Sequence, residues 1–175
     1  MPSTIENLRS SFSKDVARQS RFDVTIQMPT LLQGLYSVET TKGLSLRCES
    51  TELPSRTFST VERKIGAVPT QKYAYQSVYN DLSMTFIMSG DMKEKIIFDN
   101  WMEIVNPKTN FLFNYKNNYV GKIGINQYSI SNELIYQATL IDAFPIAVNQ
   151  LDLDWSSDNY HKLTVVFAYT YWVKK

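Results

Sequence analysis

The chain has 175 residues, of which 43% are hydrophobic and 20% are charged. These values are typical of one folded domain and argue against disorder, collagen or a coiled coil. The net charge of +1 lacks the strong positive field of a dedicated nucleic-acid binder. A single cysteine and a single histidine, Cys48 and His161, exclude an intrachain disulfide and a zinc site built from Cys and His alone within one chain.

The N-terminal segment, residues 1–20, is polar with a weak helical period, and is predicted to be a flexible arm. Residues 21–175 are predicted to form a single β domain, because aromatic residues reach 13% while Gly and Pro are few. No segment approaches the roughly 18 to 20 apolar residues of a membrane span, so no membrane partner is expected.

The first strands are predicted from alternation of apolar and polar residues. One covers 22–28, and a second covers 44–53, closing at Leu53 and Pro54 because proline cannot donate to a central ladder. Cys48 lies in the second strand and is expected to be a small core side chain rather than a reactive thiol.

Residues 57–79 have strong β propensity but no alternating buried face. They are predicted to form a long projecting hairpin that turns at residues 66–69. Its apolar and aromatic side chains have no obvious core to enter, so they are candidate contacts with another subunit. These candidate contacts are Phe58, Val61, Ile65, Tyr73, Tyr75 and Tyr79.

After a strand at 82–88, one helix is predicted from Met92 to about Val105. Asp91 is the expected N-cap and Glu94 completes a capping box, while Asn106-Pro107 ends the helix. Further strands are predicted at 111–115, 121–130, 134–140 and 163–172, the last being apolar on both faces and therefore central or covered. The fold class is mainly β, a sandwich or barrel of antiparallel strands with one flanking α-helix.

No set of residues predicts catalysis, a cofactor or a metal. His161 lacks a Gly-x-Ser-x-Gly nucleophile motif and is expected to lie at a surface or interface. The acidic residues Asp142, Asp152, Asp154 and Asp158 lack the spacing of an EF-hand loop, so a solvated loop or ion pairing is favoured. The chain is therefore not expected to be an enzyme.

One further motif, the Gly-x-x-Gly of residues 121–124, matches the loop of KH domains. It lies between strand-like segments rather than between helices, so a hairpin corner, a bulge or a close backbone approach is favoured. Missing chemistry combined with surplus β and aromatic surface is typical of a self-assembling protein.

The C-terminal region carries a recognisable pattern. Residues 143–159, Ala-Phe-Pro-Ile-Ala-Val-Asn-Gln-Leu-Asp-Leu-Asp-Trp-Ser-Ser-Asp-Asn, and the closing aromatic strand up to Tyr171-Trp172 resemble the tail tube protein of contractile-tailed (myovirus) bacteriophages. The strand exit from Cys48 to Pro54 and the Phe98-x-x-Trp101 pattern agree in order. The resemblance extends over most of the chain from Arg21 onward.

This resemblance implies the phage tail tube fold and a structural virion protein. Such proteins form hexameric rings, whose sheets make one continuous inner barrel, and the rings stack into the inner tube of a contractile tail. The implied partners are the sheath, tape-measure, baseplate and tail-terminator proteins. Genomic DNA would pass through the lumen without sequence-specific binding, which suits a chain of almost neutral charge. Assembly would take place in the host cytoplasm, and the hairpin 57–79 would reach a neighbouring subunit or the next ring.

Two alternatives stay open at this point. The same fold builds baseplate tube initiators and the ring protein of type VI secretion, which differ from a main tube protein in copy number. A small-ligand-binding β-barrel, monomeric with a lined cavity, is the more distant alternative. Residues 28–43 and 111–119 follow no pattern of the family.

Overall fold

The computed structural model describes residues 5–12, 16–66, 69–156 and 158–175. In chain order the elements are α1 (Ile5–Ser11), β1 (Phe22–Gln27), α2 (Thr30–Gln33), α3 (Val38–Leu46), β2 (Cys48–Thr51), β3 (Thr57–Arg63), β4 (Gln71–Val78), β5 (Leu82–Ile87), α4 (Lys93–Val105), α5 (Lys116–Tyr119), β6 (Gly121–Tyr128), β7 (Leu134–Val148), β8 (Lys162–Ala168) and β9 (Tyr171–Lys174).

Seven strands form one antiparallel sheet in the order β1-β6-β7-β8-β5-β2, with β9 also paired to β7. The 15-residue β7 takes part in two ladders, because its first part pairs with β6 and β9 and its last part pairs with β8. β8 lies between β7 and β5, which confirms the prediction of a central strand there. The mainly β, antiparallel fold class is therefore confirmed.

The core lies between the sheet and α4. Alternate residues of β5 and β8 are buried, as a strand with one covered face requires. From α4, Phe98 and Trp101 are fully buried and their rings are stacked at a centroid distance of 6.5 Å. Both rings meet Phe167 of β8 edge-on, and the Trp101 indole N–H donates to the Tyr119 carbonyl at 2.7 Å. The tail-tube-like Phe-x-x-Trp pattern is thus a core pattern.

The turn of β7 between its two ladders is fixed by a charged cluster. Asp142 has a φ of 55° and is the extra residue of a bulge in β7, because its neighbours Ala143 and Ile141 pair with the consecutive residues Gly121 and Lys122 of β6. Its carboxylate accepts from the Lys116 ammonium at 3.0 Å and from the Thr170 hydroxyl at 3.2 Å. Because Thr170 lies between β8 and β9, this cluster ties the point where the chain leaves one ladder to the point where it enters the other.

Gly121 confirms the predicted close backbone approach. A Cβ at this position would overlap the Gln27 carbonyl oxygen and lie 3.2 Å from the Trp101 ring. At Gly124, in contrast, a Cβ would make an ordinary contact of 3.7 Å with Thr25. The two glycines of the Gly-x-x-Gly motif therefore have different roles, and both lie in β6 rather than in a KH-type loop.

The predicted strand 44–53 is only half correct. β2 covers Cys48–Thr51, but the preceding residues belong to α3, which starts where the Ser37 hydroxyl accepts from the Thr40 N–H. Leu44 is buried and Leu46 is 86% exposed, so the two residues do not share a face. The apparent alternation was too short to distinguish a strand from the end of a helix.

The predicted helix 92–105 is confirmed, but its predicted capping box is wrong. Met92, not Asp91, is the N-cap, in a left-handed conformation without a side-chain cap. Glu94 is buried, pairs with the Arg47 guanidinium and accepts from the Ser89 N–H at 2.9 Å. A buried carboxylate needs such partners, so the long-range ion pair prevailed over the local cap.

Three further segments differ in part from the sequence-based prediction, whereas four strands agree with it. Residues 111–115, predicted as a strand, form an irregular loop before α5, and the predicted last strand is split into β8 and β9 at residues 169–170. Within the predicted arm, Ile5–Ser11 is helical, and the arm's flexibility stays a prediction. Strands predicted at 22–28, 82–88, 121–130 and 134–140 are confirmed, with β7 continuing to Val148.

Candidate assembly surfaces

Among the described strands, β3 and β4 pair with each other and with no other strand, as a separate two-stranded antiparallel sheet. Nearly every residue of both strands is exposed, so neither face of the pair is covered by the core. Isolated two-stranded sheets of this kind are marginally stable in water. This hairpin, residues 57–79, is therefore a surface that lacks a covering layer within the described chain.

The predicted contact residues fall into two groups. Phe58, Val61, Ile65, Tyr73 and Tyr75 are all at least half exposed. The register places Val61 opposite Tyr73, on one face, while Tyr75 is the extra residue at the register shift between Ser59/Thr60. The sixth residue, at position 79, is half-buried instead.

The base of the hairpin is attached to the main sheet. The rings of Tyr79 and Tyr169 meet edge-on at 6.3 Å, and Trp172 donates its indole N–H to the Ser55 carbonyl at 3.3 Å. The Arg56 guanidinium lies 5.9 Å from the Tyr79 ring centroid. Burial in this region, together with nearby acidic groups, raises the pKa of Tyr169. The hairpin is thus fixed at its base, while the described residues of β3 and β4 beyond the base are largely exposed.

A second exposed surface is formed by residues 106–122, which comprise the irregular segment after α4, the short α5 and the first two residues of β6, and which are called the aromatic–basic loop below. Its apolar side chains Phe111, Leu112, Phe113 and Tyr115 are mostly exposed. The loop is held against α4, because Asn114 donates its backbone N–H to Val105 O at 3.1 Å and its side-chain amide to Ile104 O at 2.6 Å. Sequence reasoning missed this surface because a run of apolar residues between polar ones was interpreted as a strand.

A third exposed surface is the aromatic–acidic loop, defined here as residues 149–156 and 158–161. Trp155 is fully exposed and Leu153 is 86% exposed. The Asp154 carboxylate accepts from the N–H and hydroxyl of Ser156, and these bonds lower its pKa. An exposed Trp is unusual in a monomer and marks a candidate binding surface. The Leu-Asp-Trp stretch of the resemblance was the available signal.

The residues considered for chemistry are not brought together. Asp142 belongs to the cluster with Lys116 and not to the loop of Asp152 and Asp154, and its pKa is lowered by the Lys116 hydrogen bond. Among the described residues, no three His, Cys, Asp or Glu side chains are grouped to hold a metal ion. The backbone carbonyl of His161 accepts from Met88 N–H at 3.1 Å, next to the start of β8.

Cys48 lies in a half-buried position of β2, where burial raises the pKa of its thiol to about 12. It is therefore a poor nucleophile at neutral pH, in agreement with the expectation of a packing role. Within the described ranges, no helix is long and apolar enough to cross a membrane.

Comparison with solved structures identifies the fold. A chain of the extended sheath–tube complex of the extracellular contractile injection system PVC matches with a TM-score of 0.68 and 14% identity, over 95% of this chain and 96% of that chain. A chain of the anti-feeding prophage (AFP) baseplate matches with a TM-score of 0.67 and 16% identity, over 92% of this chain and 96% of that chain. A chain of the PVC sheath/tube terminator structure gives 0.65 and 13%, over 93% and 99%. A search of curated proteins finds no significant match.

The sequence itself matches a family profile described as phage tail tube protein, over residues 17–175. The match includes the whole main sheet, the hairpin and both exposed loops. This family is one of structural tube proteins rather than of enzymes. The chain belongs to the phage tail tube protein family.

Proposed function

We propose that this chain is the repeating subunit of the inner tube of a contractile tail, in which hexameric rings stack into a hollow conduit for genomic DNA. The observation that carries the proposal is the β3–β4 hairpin, which exposes apolar side chains on both faces and has no covering layer among the described residues. Burial of these side chains against neighbouring copies would remove apolar area from water at about 25 cal/mol per Å².

Two kinds of contact are needed to build a tube from one chain. Lateral contacts between unlike surfaces close into a ring after a fixed number of rotations, whereas contacts between rings stay open and repeat. The hairpin is suited to either contact, since it is anchored at Tyr79 and Trp172 and extends away from the sheet. Phe58, Val61, Ile65, Tyr73 and Tyr75 are the proposed contacts along its length, with Tyr79 at its anchored base.

Further partners follow from this role. The sheath would surround the tube, the baseplate and terminator would close its ends, and the tape-measure protein would occupy the lumen during assembly in the host cytoplasm. Solved chains of similar fold come from a sheath–tube complex, a baseplate and a sheath/tube terminator structure, which supports this set of partners. A net charge of +1 is compatible with DNA sliding through the lumen, because few counterions would be released on contact.

The experiment is negative-stain electron microscopy of the purified chain over a concentration series, combined with sedimentation velocity. Long hollow tubes of six-fold rings are expected. Replacement of residues 60–74 by an Asn-Gly turn should leave a folded β domain that no longer forms tubes. Long tubes from this shortened chain would contradict the assigned role of the hairpin.

A matched pair of variants avoids the risk that the shortened chain fails to fold. Tyr73→Ser/Tyr75→Ser removes two exposed side chains from the hairpin, and Ile130→Ser/Leu134→Ser removes two exposed side chains from another part of the chain. Only the first variant should raise the concentration needed for assembly. Equal assembly by both variants would contradict the proposal.

A baseplate tube initiator is the second candidate, favoured by the fold similarity to the AFP baseplate chain. It would form single rings that do not stack at any concentration. A small-ligand-binding barrel is less favoured, because the space beneath the sheet is filled by Phe98 and Trp101 in the part of the chain that the structure describes. That alternative would give a monomer at all concentrations.

A further inference from the structure

The aromatic–basic and aromatic–acidic loops lie at opposite ends of β8. The acidic loop runs directly into Lys162, the first residue of this strand. The basic loop reaches the other end, where Lys116 donates to the Thr170 hydroxyl at 2.7 Å, two residues beyond Ala168. A strand of 7 residues spans about 20 Å at the usual rise per residue, so the two loops are well separated.

The two loops carry opposite charges. Residues 106–122 contain three lysines and no carboxylate, whereas residues 149–161 contain three aspartates and no Lys or Arg. Lys116 is used internally by Asp142, and Asp154 by Ser156. Lys108 lies 3.7 Å from the Glu103 carboxylate of α4, but its side chain is 85% exposed. The side chains of Lys122, Asp152 and Asp158 are exposed as well, so these four charges can face a partner across an interface.

The two loops are also matched in apolar character. The acidic loop presents Trp155 and Leu153 as protruding side chains, and the basic loop presents Phe111, Leu112 and Phe113 from a backbone held against α4. Strong interface sites usually consist of aromatic side chains that pack into a pre-organised apolar patch, with charged residues around them.

We propose that the aromatic–acidic loop of one copy docks on the aromatic–basic loop of the next copy, in a head-to-tail contact between subunits. The inference rests on the proposed function and names one of its interfaces. The partner is a second copy because both complementary surfaces are present in the same chain, at opposite ends of one strand. Such a contact repeats from copy to copy, as a growing assembly requires. Opposite charges would also steer the copies into the correct polarity.

The hairpin is the competing basic surface. Arg63 and Lys64 lie at its tip, and its base is at the same end of β8 as the basic loop. However, the hairpin also contains Glu62, whose carboxylate lies 3.1 Å from the Lys72 ammonium. The basic loop has a comparable pair between Lys108 and Glu103 of α4, at 3.7 Å. What distinguishes the basic loop is its backbone, which Asn114 holds against α4 beside the exposed aromatic side chains, so it is the better pre-organised receptor.

Charge reversal tests the contact directly. The acid-reversed chain is Asp152→Lys/Asp158→Lys and the base-reversed chain is Lys108→Glu/Lys122→Glu, all at exposed positions. Each variant alone brings like charges together, and should need at least a tenfold higher concentration than the wild-type chain to assemble. An equimolar mixture of the two should assemble at nearly the wild-type concentration, because each copy then meets a neighbour of opposite charge. Circular dichroism verifies that each variant is folded.

Two control variants make the result specific. Glu39→Lys/Glu133→Lys changes the net charge by the same amount as the acid-reversed chain, but at positions outside both loops. This control should assemble like the wild-type chain. Arg63→Glu/Lys64→Glu reverses the hairpin tip instead and should not rescue the acid-reversed chain. Rescue by the hairpin variant in place of the base-reversed chain would overturn the assignment to the loop, and so would equal impairment by the first control.

The two proposals fail in different ways. If the wild-type chain forms tubes and both reversed chains form them equally well, or if their mixture assembles no better than either alone, the loop contact is wrong while the tube function stands. If the wild-type chain stays monomeric at every concentration, the tube function and the loop contact are both refuted.

Discussion

Replacement of each tryptophan by alanine, one at a time, should separate the side chains that hold the subunit together from those that serve assembly. The chain has three tryptophans. Trp101 is fully buried, Trp172 is half-buried with one hydrogen bond to Ser55, and Trp155 is fully exposed. The same chemical change is therefore made in three environments.

The expected losses of unfolding free energy follow from burial. Trp101→Ala should cost about 3 to 5 kcal/mol, because the cavity left among Phe98 and Phe167 is closed on all sides. The Tyr119 carbonyl loses the hydrogen bond from the Trp101 indole in this variant, which adds to the cost. Trp172→Ala should cost about 1 to 2 kcal/mol, and Trp155→Ala less than about 0.5 kcal/mol, the usual range for exposed positions.

The assays are urea unfolding, which gives the free energy, and thermal unfolding, which gives Tm, both followed by circular dichroism at concentrations below those that give assembly. For a chain of this length, 1 kcal/mol corresponds to about 2 to 4 °C in Tm, so Trp101→Ala should lower Tm by about 10 °C and Trp155→Ala by no more than about 2 °C. Trp101→Phe, which keeps a ring but loses the N–H, serves if the alanine variant does not fold. A loss for Trp155→Ala as large as that for Trp101→Ala would refute this assignment of environments.

Two further predictions concern the corner where β6, β7 and β8 meet. Gly121→Ala should lower the free energy of unfolding by about 1 to 3 kcal/mol because its Cβ overlaps the Gln27 carbonyl, whereas Gly124→Ala should be neutral or stabilising, as urea midpoints will show. The pKa of Asp142 is held below its ordinary value of 3.8 by Lys116, so its contribution to stability is complete above that value and is lost as the pH falls through the lowered pKa. Asp142→Asn should remove this contribution, and asparagine tolerates the positive φ at this position. The free energy of unfolding should therefore fall less steeply between pH 6 and pH 2 for the variant than for the wild-type chain. The same pH dependence in both chains would contradict the prediction.

The strands that were predicted correctly have a simple physical origin. In 22–28, 82–88 and 163–168 every second residue is apolar and faces the same core. The buried face of each strand can therefore be predicted from the local sequence. The hairpin was recognisable for the opposite reason, since it has β propensity without such alternation. Both features depend on neighbouring residues alone, and both are therefore visible in a sequence.

The errors arise where distant residues decide the structure. Glu94 fits a capping box locally, yet it turns to Arg47, which is 47 positions away in the chain. The cluster of Lys116, Asp142 and Thr170 likewise joins three segments, and no local pattern indicates that β7 changes ladders there. Such contacts are set by the topology of the sheet, which propensities do not determine.

The candidate surfaces depend on a different limitation. Phe113 and Trp155 are as hydrophobic as core residues, and only the fold reveals that they face solvent. Apolar runs in a sequence indicate burial without indicating whether the covering layer belongs to the same chain or to another. For a subunit of a larger assembly, this ambiguity affects the interface residues in particular.

The almost neutral net charge also takes on a different meaning once the loops are located. The lysines of one loop and the aspartates of the other offset each other in the total, although the two loops lie at opposite ends of β8. Lys116 and Lys108 have carboxylate neighbours in Asp142 and Glu103, so the exposed Lys122, Asp152 and Asp158 contribute most to this difference between the loops. A uniformly charged subunit would repel its copies, and a uniformly neutral one would have no electrostatic preference for polarity. If the two loops meet as proposed, their opposite charges favour copies that add in one direction, which is the order that the proposed tube requires.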